Sequence, residues 1–189
     1  MNAVLIGIFF FLPALTANAA AMLAGLAALR GQPIMLTIDD ILTAGRVELF
    51  GKHKTILGCL LMVLAALVAG ENIWGIHRHF GLLPKVFLPN DSWQDAMGTS
   101  LLLGAGACLG DLLGSFLKRR LGIPSGKDLW VIDQVDWFFG AVALLLLFNR
   151  LPSRETVVWG AGVLLTARCL TEIPRQKIFS HSQPRQRRG

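Results

Sequence analysis

Asp111, Ser115 and Lys118 are spaced i, i+4 and i+7, so a helix carrying them places all three on one face, with Arg119 beside them. A carboxylate, a hydroxyl and two cations in one cavity suit phosphate chemistry. Asp133 and Asp136, at i and i+3 just before WFFGAVALLLLF, supply a second acidic pair. Hard oxygen ligands of this kind suit magnesium, which takes one or two carboxylates and completes its shell with water and substrate phosphates. The candidate metal set is therefore Asp111, Asp133 and Asp136. Structural ion pairs with Lys118, Arg119, Arg120 and Lys127 are the competing reading of the same residues.

GKHKTILG, residues 51 to 58, offers Lys52, Lys54 and the Thr55 hydroxyl immediately before an apolar run. A helix starting there would turn its free N–H groups and positive dipole end toward an anion. The stretch fails the P-loop pattern, since Gly45 is one position too far and no Ser or Thr follows Lys52. A basic flank that merely sets membrane orientation is the alternative. His77 and His79 have no third ligand at metal-binding spacing and read as loop histidines. Cys59, Cys108 and Cys169 form no CxxC or Cys/His pair and read as packing residues.

The elements that position these groups are membrane helices. Hydrophobic residues make up 53% of the chain, the mean hydropathy is +0.56, and the charges gather in a few clusters. Apolar runs at 3–29, 56–70, 96–110, 137–148 and 156–167 predict an all-α integral membrane protein of about five transmembrane helices. Only the first run reaches the ~20 residues of a full span, so the others must borrow flanking residues, tilt, or end in a polar cavity. Asp111 falls near the end of a span, where a carboxylate costs up to ~3 kcal/mol at the bilayer centre and calls for a cationic partner.

Lys and Arg are concentrated in 30–55, in 117–130 and in the tail, which sets the N-terminus outside and the C-terminus in the cytoplasm. The charged loops would then form an active site on the cytoplasmic face of the cell membrane, and the net charge of +6 fits that face. Ala17-Asn18-Ala19 resembles a cleavage site, but no Lys or Arg precedes Arg30, so the first segment is expected to stay as a helix. Pro13 and Asn18 within it are expected to pack against neighbouring helices. Gly106, Gly110 and Gly114 recur every four residues and let another helix approach closely; this spacing is also the sole hint of a homodimer. Residues 1–179 read as one membrane-embedded domain and 180–189 as a basic, disordered tail.

The motifs carry a specific resemblance. Pro13 to Asn18, then Gly51, Lys54, Thr55 and Gly58, then Gly110, Asp111, Ser115, Phe116, Lys118 and Arg119, and finally Asp133, Gln134 and Asp136 occur in the order of the CDP-archaeol synthase family. The chain resembles that family over most of its length, and phosphatidate cytidylyltransferases more distantly. It departs from the pattern at Glu48, where Arg is expected, and at Arg168 and Glu172, where archaeal relatives tend to carry His and Asn. The lipid-binding end is the part these departures touch.

The resemblance implies an enzyme that joins CTP to a lipid glycerol phosphate, giving a CDP-lipid and pyrophosphate. A lipid phosphate oxygen is already a competent nucleophile, so no Ser, Cys or His nucleophile is required. The obstacle is repulsion between two anions, which magnesium, ammonium and guanidinium groups relieve. Asp111, Lys118 and Asp136 are the catalytic candidates. Lys54, Thr55, Ser115, Lys118 and Arg119 are the phosphate-binding candidates, with Lys127 and Asp128 as weaker ones and Gln134 orienting an Asp or touching the nucleotide. The implied partners are CTP, a lipid glycerol phosphate (isoprenoid-ether or phosphatidate) and the bilayer, with no nucleic acid. A lipid or solute transporter, with Pro13, Asn18 and the glycines as hinges, and a non-catalytic lipid-binding scaffold are the alternatives.

Overall fold

The computed structural model describes residues 3–29, 36–83, 85–87, 92–124 and 132–166, with the side chains of 25–29 and 132–134 outside that set. The described residues form α1 (Ala3–Leu29), the short α2 (Ile38–Thr43), α3 (Ile56–Phe80), α4 (Trp93–Arg120), α5 (Ile132–Leu147) and α6 (154–166). Their one β-type pairing is an isolated antiparallel bridge between Thr37 and Thr55.

Five of these helices fall on the five apolar runs, but their extents differ from expectation. Three of them, α1, α3 and α4, are long and apolar enough to cross a membrane. In their described residues α5, at 16, and α6, at 13, hold fewer than the ~20 of a full span, and each abuts residues outside the described set. α3 runs ten residues past its apolar stretch, through Glu71, Asn72 and His77, because backbone bonds do not need apolar side chains. It stops at Gly81, whose φ of +62° suits glycine and whose N–H donates to the His77 carbonyl at 3.0 Å. Likewise α4 continues past residue 110, as the i, i+4, i+7 spacing of Asp111, Ser115 and Lys118 requires, and takes in residues 117–120 of the basic segment expected as a loop over 117–130, ending where Gly122 and Pro124 follow.

α4 is the central element, packed against α5, α3 and α1. The glycine stripe explains its closest contact. A Cβ at Gly110 would stand 2.1 Å from the Asp136 carbonyl oxygen, and one at Gly106 2.6 Å from Ala141 Cα, so only glycines let the two backbones touch. The stripe is thus occupied by α5 of the same chain rather than by a second copy. Phe11, Ala14, Met62, Leu103, Trp137 and Leu145 fill the core. Pro13 and Asn18 are buried within it, as expected, and α1 passes unbroken through Ala17–Ala19. Leu57, Leu60, Leu64 and Val68 form an exposed apolar face on α3, which suits lipid.

Candidate active site

α4 carries Asp111, Ser115, Lys118 and Arg119 near its C-terminal end, and Ser115 and Lys118 are buried there. The cation that Asp111 requires is Lys54, whose Nζ donates to Asp111 Oδ2 at 2.5 Å. The two side chains are 23% and 19% exposed, so the pair sits at the rim of the bundle rather than in bulk water. Ala21, Ala24, His53, Thr55, Gly58, Cys59 and Met62 line a cleft around it.

Thr55 is the N-cap of α3, as its place before the apolar run suggests. Its hydroxyl oxygen accepts from the Gly58 N–H at 3.0 Å, while the Ile56 N–H donates to the Leu36 carbonyl at 3.3 Å. Two amides of that helix end are therefore already satisfied, which weakens it as an anion site compared with the sequence expectation. The Thr55 proton remains available to donate.

Asp136 approaches α4 from α5. Its carboxylate lies over Gly114, and its Oδ1 accepts from the Trp137 N–H at 2.7 Å. Asp136 thereby joins the α4 face that leads to Lys118, one turn beyond Gly114. Arg119 donates from a terminal guanidinium nitrogen to the Ile123 carbonyl, and its Nε is buried with no acceptor among the described residues. The turn after α4 holds it, with Ile123 N–H donating to the Lys118 carbonyl at 3.0 Å. Lys127 and Asp128, and the side chains of Asp133 and Gln134, lie outside the described residues, as do Arg168, Cys169, Glu172 and the expected 180–189 tail.

Among the described residues no three His, Cys, Asp or Glu side chains cluster as a preformed metal cage. Magnesium does not need one: one or two carboxylates with substrate oxygens suffice, and Asp111 and Asp136, hard oxygen donors at the same end of α4, fit that pattern. The histidines are not in a loop as read from sequence: His77 and His79 lie in the last turn of α3, with His77 Nδ1 hydrogen-bonded to the Leu83 carbonyl at 2.8 Å. Cys59 and Cys108, distant in sequence, meet across α3 and α4 and pack with the core.

Sequence reasoning passed over Asp39. This buried residue of α2 accepts from the Phe50 N–H at 3.0 Å and the Gly51 N–H at 2.8 Å, so it grips the loop that leads to Lys54. The visible signal was Thr37-Ile-Asp-Asp40, a capping-box pattern. In the structure Asp40 N–H donates to Thr37 Oγ1 at 3.1 Å, and the Thr37 N–H and hydroxyl donate back, holding the Asp40 carboxyl below its usual range.

Fold and site define a class: an integral membrane helical bundle with a polar centre of paired acids and bases at one end. Residues 1–168 match the family model described as CarS-like, CDP-archaeol synthase, and the chain belongs to that family. It is 38% identical over 161 residues to the CDP-archaeol synthase of Methanopyrus kandleri, covering 85% of this chain and 81% of the relative. It is 31% identical over 184 residues to that of Sulfolobus acidocaldarius, covering 97% and 99%. A solved structure of an intramembrane enzyme for archaeal membrane lipid biosynthesis superposes with a TM-score of 0.63 at 29% identity, covering 88% of this chain and 92% of the other.

Proposed function

We infer that the protein is a CTP-dependent cytidylyltransferase that transfers CMP to the phosphate of a membrane lipid, giving a CDP-lipid and pyrophosphate. The observation that carries this, given the family, is the Lys54–Asp111 pair at the mouth of an apolar helical bundle. Among the described residues neither charge is bound into a larger ion network, so an incoming phosphate can take Lys54 while Asp111 turns to a cation.

A lipid phosphate oxygen attacks the α-phosphorus of CTP; a new P–O bond forms and the bond to the departing pyrophosphate breaks. Both reactants are anions, and the role of the chain is to lower their repulsion and align them. Lys54, Lys118 and Arg119 face the phosphates, and the buried Ser115 and the capping Thr55 donate hydroxyl hydrogen bonds that fix orientation. Asp111 and Asp136, with Asp133 from the sequence pattern, would hold magnesium, which would supply further charge neutralisation on the triphosphate. The relatives act, by name, in CDP-archaeol synthesis, which favours an isoprenoid-ether glycerol phosphate over phosphatidate as the acceptor. The basic residues of 36–54 and 117–124 favour a site on the cytoplasmic face of the cell membrane, where CTP is found.

The test incubates detergent-purified protein with CTP, magnesium and either an unsaturated isoprenoid-ether glycerol phosphate or phosphatidic acid, with mass-spectrometric detection of CDP-lipid and pyrophosphate. Product from the ether lipid is expected. Product from phosphatidic acid alone would overturn the acceptor assignment, and no product from either would overturn the reaction.

A further inference from the structure

Asp39 lies on α2, a helix of six residues, and is only 6% exposed. A buried carboxylate is costly unless its oxygens are hydrogen-bonded. Here Oδ1 and Oδ2 accept from the Phe50 N–H at 3.0 and 3.2 Å, and Oδ2 also accepts from the Gly51 N–H at 2.8 Å. Such charge-assisted bonds to two successive amides hold a peptide unit in place and in orientation.

The same segment grips the loop a second time, three residues on. The Ile38 N–H donates to the Lys54 carbonyl at 2.9 Å, and the Ile56 N–H donates to the Leu36 carbonyl. Between these grips Gly51, at φ +96°, turns the chain so that the Lys54 N–H donates to the Gly51 carbonyl at 3.1 Å. The Lys54 backbone is thus fixed at both its N–H and its carbonyl, and the turn that fixes the N–H is itself anchored by Asp39. From this base the Lys54 side chain reaches Asp111 on α4.

We propose that Asp39 is a positioning residue for Lys54: by clamping the Phe50–Gly51 amides it sets where the Lys54 ammonium stands opposite Asp111, without touching substrate itself. The kinetic form of this inference rests on the cytidylyltransferase reading. Misplacing a charged group by about an ångström can cost about 100-fold in rate.

The discriminating experiment is a double-mutant cycle on kcat/KM for CTP with Asp39→Ala, Lys54→Ala and the pair, beside Asp39→Asn. Asp39→Ala is expected to lower kcat/KM about 10- to 100-fold, and to cost less than twofold more once Lys54 is already Ala. Asp39→Asn keeps one acceptor oxygen and is expected to recover part of the loss, which also serves if the alanine variant does not fold. Losses that multiply in the double variant, or wild-type kinetics in Asp39→Ala and Asp39→Asn, would overturn the proposal. A second readout needs no turnover: acylation of the Lys54 amine by an amine-reactive reagent, followed by mass spectrometry with exposed Lys52 as reference. The Asp39 variants are expected to raise Lys54 labelling several-fold, and unchanged labelling overturns the proposal. A wild-type chain with no activity but with this labelling change would instead sink the cytidylyltransferase reading alone.

Discussion

Gly114 of α4 lies directly beneath the carboxylate of Asp136 on α5: a Cβ at this glycine would stand 2.5 Å from Asp136 Oδ2 and 3.1 Å from Asp136 Cβ. The close packing of two helices and the placement of an acidic side chain in the site are therefore one feature.

The two glycines of this contact should respond differently to a methyl group. Gly114→Ala meets the movable end of Asp136 and is expected to cut CDP-lipid formation with a small change in melting temperature. Gly110→Ala meets the Asp136 backbone carbonyl at 2.1 Å, so the helices must part. That overpacking is expected to cost about 1–3 kcal/mol. Thermal unfolding in detergent alongside product formation separates the two; equal melting temperatures would contradict the contact.

Asp111→Asn and Asp136→Asn each replace a carboxylate with a neutral side chain of the same shape. Each is expected to reduce turnover at least about 100-fold, the scale of losing one electrostatic element of a site, while membrane insertion is unchanged. Product quantified at equal amounts of inserted protein checks this. Retained activity in either variant removes that residue from the metal set.

Chelation offers an independent test of the same carboxylates. EDTA is expected to abolish turnover and added magnesium to restore it, with Asp111→Asn needing a higher magnesium concentration for half-maximal rate. A magnesium titration of both proteins reads this directly.

Lys118 is buried on the same face as Asp111 and Ser115. Lys118→Ala is expected to raise the KM for CTP tenfold or more, about 1.4 kcal/mol of binding, with a smaller fall in kcat. Steady-state kinetics with CTP varied at saturating lipid decide it; a fall in kcat alone would assign Lys118 elsewhere.

At the other end of α4, Arg150 donates to Asp95 Oδ1 at 3.0 Å, where the Asp95 side chain is 10% exposed. Asp95 and Asp111 are separated by roughly 24 Å of helix, at ~1.5 Å per residue. Arg150→Ala removes the guanidinium partner of this buried carboxylate, which keeps the Ser92 hydroxyl bond at 2.9 Å, and is expected to cost about 1–3 kcal/mol of stability. The melting temperature should drop while the KM values for CTP and lipid stay at wild type. A changed KM would mean that the ends are coupled.

Much of this was readable along the chain. The family followed from three charged motifs in series, KTILG, GDLLGSFLKRR and DQVD, because each keeps its residue types at short spacing. The α4 face was readable for the same reason: i, i+4 and i+7 are neighbours on any helix. The glycine stripe announced a close helix contact, although only the fold assigned it to α5 instead of a second copy. Apolarity marked the middles of the helices but not their ends, which take in flanking polar residues as the short runs required. α3 and α4 continue into charged residues because their stop signals are backbone features, at Gly81 and at Gly122 with Pro124.

Sequence alone determined the membrane setting, the family and the set of charged groups, since composition and local spacing encode all three. Tertiary structure decided the pairings: Lys54 with Asp111 across 57 positions, Asp136 over Gly114, and Asp39 with the amides of Phe50 and Gly51. The reason is physical. A carboxylate can pair with any cation or N–H the fold brings within about 3 Å, and that partner depends on how helices pack and loops turn rather than on spacing along the chain.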